Sequence, residues 1–196
     1  MDTRHRVLEA AQVLFAAKGF NGTSLADISA RCGISDGLIL HHFQNKRNLY
    51  RQVQDKLAEQ YALHLQETRE KFTTPEEMMC ETISASFNFW KQDSAYERIS
   101  LWAYLEGQND LVERETALTA GMAEGIRQLQ DQGIINKEYS PLVMMTMVIG
   151  SIHFWMRYRE QFRTTLGIEQ SADQMDQQFL DQISAIFRDI SQIKGD

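Results

Sequence analysis

At 196 residues the chain is long enough to bury a sizeable core, as one domain or two small ones. With 43 % hydrophobic residues and two prolines it excludes disorder and favours long helices. The net charge of −7 argues against nucleic acid for the chain as a whole. The charge is unevenly spread, however: residues 1–51 hold seven bases against four acids, a net +3, which leaves −10 on the remainder.

The chain opens on Met1-Asp2-Thr3-Arg4, which begins no apolar signal region, so no secretion signal is expected. A first helix is predicted over Thr3–Lys18, with Val7, Ala10, Ala11, Leu14 and Phe15 at helical spacing. Asp2 or Thr3 can cap its start, and Gly19-Phe20 reads as its C-terminal cap. Ser24 caps a second helix, with Asp27 in the capping-box position, and Gly33 ends it. Ser35 caps a third, whose apolar residues are Leu38, Ile39 and Phe43, and Asn45 starts the fourth. Three helices in under fifty residues, the second and third joined by a short glycine turn, form the helix-turn-helix pattern. In it two helices hold the third so that its outer face can enter a major groove.

From Arg47 the pattern is one of long helices, with Leu49, Val53, Leu57, Tyr61 and Leu65 four residues apart over Arg47–Phe72. Helical stretches follow near 75–92, 95–108, 110–132, 140–163 and 172–193, with no linker or repeat. The apolar run Leu142 to Met156 is shorter than the ~18 residues that span a bilayer, and it reads as core. Cys32 and Cys80 are too few for a disulfide framework and read as small buried thiols in a reducing compartment. His41 and His42, adjacent on a helix, point about 100° apart and cannot chelate a metal as an i, i+4 pair would.

The stretch GTSLADISARCGISDGLILHHFQNKRNL, Gly22 to Leu49, resembles the signature of TetR/AcrR-type helix-turn-helix transcriptional regulators. Thr23, Ile28, Gly33, Ser35, Gly37, His42, Phe43, Lys46 and Leu49 fall in register with it. The resemblance implies that Thr23 and Ser24 touch phosphate at the start of the second helix. It implies that Asp36, Gly37, Leu38 and His41, following the cap Ser35, face the groove, and that Lys46 binds phosphate. His42 and Phe43 match packing positions. Leu40 departs from the pattern, standing where the family usually has a phosphate-bonding tyrosine. Asp36 brings an acid near DNA, where it can accept from a cytosine amino group or complement the helix N-terminus.

In the body, aromatic residues and methionines concentrate in three segments, more than a core alone requires. The resemblance implies an effector cavity among these central helices, with Phe87, Trp90, Trp102 and Glu106 as candidates from the earlier segments. Met147, His153 and Trp155 are the candidates from the last, and Glu106 beside tryptophans would favour a cationic ligand. Along the last helix Phe179, Ile183, Ile186 and Ile190 form an apolar stripe suited to a homodimer interface.

The expected architecture is all-α: a helix-turn-helix DNA-binding domain over residues 1–48, then an effector-binding and dimerisation domain over 49–196. The expected function is a cytoplasmic, ligand-responsive regulator, a repressor that binds a palindromic operator as a homodimer and is released by a small apolar or aromatic effector. No catalytic residue, cofactor, metal or membrane contact is expected. An α-helical enzyme is the second class, opposed by the lack of a nucleophile elbow, metal-ligand spacing, phosphate loop or convergent carboxylates. A helical adaptor is the third; it would explain the last helix but not the basic front.

Overall fold

The computed structural model describes residues 2–72, 74–108 and 112–192, without the side chains of 75, 76, 112–115 and 190–192. Among the described residues the chain is all-α. Its helices are α1 (Thr3–Lys18), α2 (Leu25–Cys32), α3 (Asp36–Phe43), α4 (Lys46–Arg69), α5 (Pro75–Gln92), α6 (Ala95–Leu105), α7 (Val112–Asp131), α8 (Pro141–Thr165) and α9 (Ala172–Gln192). They form two compact units, one of Met1–Ala62 with Gln92–Leu118, the other of Leu63–Lys91 with Thr119–Asp196. α4 begins in the first and ends in the second.

Local chemistry sets the boundaries in the first unit. Gly19 ends α1 at φ +72°, a backbone region that costs glycine nothing, and its N–H bonds the Phe15 carbonyl. Ser24 and Asp27 close a reciprocal capping box at the start of α2: each side chain accepts from the other residue's backbone N–H, at 3.1 and 2.9 Å. The Ser24 hydrogen bonds hold the Asp27 carboxyl below its ordinary pKa. Ser35 caps α3 by accepting from the Leu38 N–H. The core comes from α1, α2, α3, α4 and α6. Val7, Ala11 and Phe15 of α1 meet Ile28, Ile39, Phe43, Leu49 and Val53, all fully buried, and Ile99 of α6 packs with them.

α6 is shorter than its expected span of 95–108. Gly107 takes φ +65°, and the Gly107 and Gln108 N–H groups turn back to the Tyr104 and Ala103 carbonyls. The stop leaves Glu106 at the helix end, where its side chain can reach out of the helix.

The second unit is organised around a buried charge. Asp176 of α9 is 3 % exposed and accepts from Arg159 Nη1 at 2.9 and 2.8 Å and from Trp155 Nε1 at 2.8 Å, both on α8. Lys91 of α5 adds an ion pair at 2.9 Å. Three helices are thereby tied to one carboxylate whose four contacts replace the water it lost. Hydrogen bonds to Asp173, at 2.6 Å, and then to Asp176 raise the Lys91 pKa. The ring of Phe179 stacks on Trp155 at 4.9 Å and lies 5.9 Å from Phe87.

Removing one member of a buried charge cluster strands the others. Asp176→Ala should cost about 3 kcal/mol, read as a lower midpoint in urea unfolding. A midpoint within error of the parent would show that the cluster is not what joins α5, α8 and α9.

Candidate DNA-reading surface and interior cavity

α3 buries Ile39 and Phe43 fully and turns the rest of its length outward. Leu38 and Leu40 are 41 % and 40 % exposed, large for apolar side chains, and Ser35, Asp36, Gly37 and His41 are exposed beside them. Nothing lies within 4 Å of the place a Cβ on Gly37 would occupy. Ser24 is exposed at the start of α2. His42, expected to pack inside, is exposed, its ring 5.5 Å from that of His41 and 6.2 Å from Phe43. Ile39 and Phe43, one turn apart, occupy the buried face of α3, and His42 stands beside Phe43, about 100° round the helix.

Thr23 and Lys46 are engaged in holding this surface. Thr23 is 1 % exposed, and its hydroxyl donates to Gly19 O at 2.9 Å. Lys46 is half-buried, and its ammonium donates to Phe20 O and Thr23 O, both at 2.9 Å, while lying 4.2 Å from the centre of the Phe20 ring. Two of its three N–H donors are therefore spent on the turn between α1 and α2.

Glu106 completes that turn from the other side. Its two carboxylate oxygens accept from Phe20 N–H at 2.9 Å and Asn21 N–H at 3.0 Å. Arg98, also on α6, donates to Ala16 O in the last turn of α1 at 2.8 Å. A Cβ on Gly19 would come within 2.6 Å of Glu106 Oε1 and 2.9 Å of Trp102, so glycine is required there for close approach as well as for φ. Under the turn, the rings of Phe15, Phe20 and Tyr50 pack together. Burial first, and the Glu106 charge second, push the Tyr50 phenol up to about 12. Glu106 and Trp102, expected at a ligand, are thus absorbed into the packing of the first unit.

A cavity of about 260 Å³ lies within the second unit. Five of the chain's nine methionines line it, Met78 and Met79 of α5, Met122 of α7, and Met144 and Met145 of α8. Ile83, Ile126, Leu129, Ile135, Val148, Ile149 and Phe187 supply the rest of its apolar wall, with Thr82, Ser86, Gln128, Gln132 and Arg69 as polar groups. None of the seven sequence candidates lines it. Phe87 and Trp90 are buried, Trp90 with its ring 4.3 Å from that of His153, and Trp155 is committed to Asp176 and Phe179. Met147 is 52 % exposed and does not line the cavity, unlike Met144 and Met145. Among the described residues no cluster of three or more His, Cys, Asp or Glu side chains is placed to hold a metal ion, and no helix is long and apolar enough to cross a membrane.

Glu106→Ala leaves two backbone N–H groups without their charged acceptor, a loss of about 2 kcal/mol in stability. Denaturant unfolding checks this, and an unchanged midpoint would show that water serves those groups equally well.

Two family models match the chain, "Bacterial regulatory proteins, tetR family" over residues 7–53 and "Tetracyclin repressor-like, C-terminal domain" over residues 83–181. The regulator TtgR of Pseudomonas putida is 29 % identical over 170 residues, which cover 79 % of this chain and 80 % of TtgR. Solved structures share the fold at low identity. A putative transcriptional regulator, SCO4942 from Streptomyces coelicolor, superposes with a TM-score of 0.76 at 18 % identity, covering 94 % of this chain and 98 % of its own. The regulator FadR from Bacillus subtilis, solved in complex with stearoyl-CoA, gives 0.68 at 18 % identity over 80 % of this chain and 88 % of its own. With both models in place and the second spanning half the chain, the protein belongs to the TetR family of bacterial transcriptional regulators, which act by binding DNA and are not enzymes.

Proposed function

We propose that the protein is a cytoplasmic repressor that binds a palindromic operator as a homodimer and is released by a small, largely apolar effector. The DNA-reading domain is residues 1–48, and the effector-binding and dimerisation domain is 49–196. The observation that carries the reading is α3, which exposes Leu38, Leu40 and His41 while anchoring itself through Ile39 and Phe43. With Ser35, Asp36 and Gly37 they make the groove-facing set. Ser24 and the remaining donor of Lys46 meet phosphate, and Thr23 acts through the turn it holds. Two such helices reach successive major grooves when they stand ~34–36 Å apart or at a multiple of it.

Support for the homodimer comes from α8 and α9. Leu142, Val143, Met147 and Phe154 of α8 are 52–64 % exposed, and Ile186 of α9 is 53 % exposed. An apolar strip of this kind is costly in water unless a second copy covers it. Phe179 and Ile183 lie toward their own unit and support the strip from behind, and the side chain of Ile190 lies outside the described residues. The methionine-lined cavity is the effector site, since flexible thioethers adapt to apolar guests. A FadR relative of the same fold is solved with stearoyl-CoA, which fits a small-molecule reading. α4 begins at Lys46 and ends at Arg69, on the cavity wall. A ligand that binds the DNA-incompetent arrangement of α4 more tightly would therefore lower operator affinity.

Fluorescence anisotropy on labelled fragments from upstream of the protein's own gene tests the reading. Saturable, salt-weakened binding to one fragment that resists random competitor is expected, and no binding even to a genome-wide fragment pool would refute it. Gly37→Ala should keep or slightly raise thermal stability, because alanine favours a helix by about 0.5–1 kcal/mol, yet weaken operator binding by placing a methyl group in the groove. Equal or tighter binding would remove α3 from the groove. Phe154→Glu should elute as a monomer by light scattering and bind the operator at least about tenfold more weakly. A dimer with full affinity would place the interface elsewhere.

A further inference from the structure

We infer that the effector is an amphipathic anion, an apolar body of about ten non-hydrogen atoms carrying one acidic group that pairs with Arg69; this rests on the cavity being the effector site. The size follows from the volume. An engineered cavity of about 150 Å³ holds one benzene, so 260 Å³ accommodates a body larger than one ring.

The charge follows from what lines the wall. Among the described residues Arg69 is the one ionisable residue that lines the wall, and the rest are apolar, hydroxyl or amide. Its guanidinium has no hydrogen-bond or ion-pair partner among the described residues, unlike Arg159 with Asp176, Arg163 with Glu160 and Arg127 with Glu124. It is exposed and approaches α7, within 3.9 Å of the place a Cβ on Gly125 would occupy. An arginine at the edge of an apolar cavity, with no acidic partner among the described residues, presents a planar fork of donors to a carboxylate or phosphate. The methionines take the apolar body, and Gln128 and Gln132 remain for secondary hydrogen bonds. The expected cationic preference rested on Glu106, which is held by the turn at Phe20 and Asn21. A cation in this cavity would meet Arg69 and no carboxylate.

Probes that share an apolar body and differ in the charge of the head group test this by calorimetry: octanoate, 1-octanol and octylammonium, and the matching 3-phenylpropanoate series. The parent should bind each acid about tenfold more tightly than its alcohol, since a charged hydrogen bond is worth about one such factor or more. Octylammonium should bind most weakly. In Arg69→Gln the advantage of the acid should vanish while the alcohol binds as before, which also reports that the cavity is intact. Arg69→Lys should retain part of it.

An acid no tighter than its alcohol, a preference that survives in Arg69→Gln, or an equal loss for acid and alcohol would overturn the role of Arg69 while leaving the cavity as the effector site. Failure of every probe to bind, or binding unaffected by Ile126→Trp, which fills the cavity, would overturn the cavity reading and this inference with it.

Discussion

The turn between α1 and α2 is the constraint on which the reading head depends. Its backbone groups belong to no helix, so the fold must satisfy them from elsewhere or leave them to water. Two charged side chains do so from opposite sides. Lys46 takes the carbonyls of Phe20 and Thr23, and Glu106 takes the N–H groups of Phe20 and Asn21. Each charge finds the backbone dipole of the opposite sign. The turn fixes where Ser24 begins α2, α2 fixes the Gly33 turn, and that turn sets the direction of α3.

The second unit meets a different demand. It must keep a cavity open without letting the helices around it collapse. Asp176 binds α5, α8 and α9 through directional charged contacts at one place. Methionines, which pack adaptably, surround the void at another. Rigid ties thus stand beside a soft lining. α4 is the covalent element common to both demands, with the turn-clamping Lys46 at its first residue and the cavity-lining Arg69 at its last.

Much of this was legible in the sequence, and the limits have physical causes. The caps at Ser24, Ser35, Gly19 and Gly33 are local, each determined by residues within one turn, and they could be read directly. Glu106 could not, because its partners lie 86 and 85 residues away and a carboxylate near the end of a helix is usually solvated. α8 is apolar nearly all round, so periodicity does not say that Met144, Met145 and Val148 face a cavity while Met147 and Phe154 face out. The tryptophans attracted attention as ligand contacts, but large rings fill cores, and it is the methionines that line the void. On α9 the stripe was visible and its partner was not, since an apolar face looks the same whether it covers its own unit or a second copy.

Amide hydrogen exchange at Phe20 and Asn21 tests the central claim most directly, comparing the parent protein with Glu106→Ala. If the carboxylate holds these groups, both amides should be protected in the parent and exchange at least about tenfold faster in the variant, while Ile28 and Ile39 deep in the core stay protected. Exchange of Phe20 and Asn21 at unstructured-chain rates in the parent, or protection that persists without the carboxylate, would contradict it.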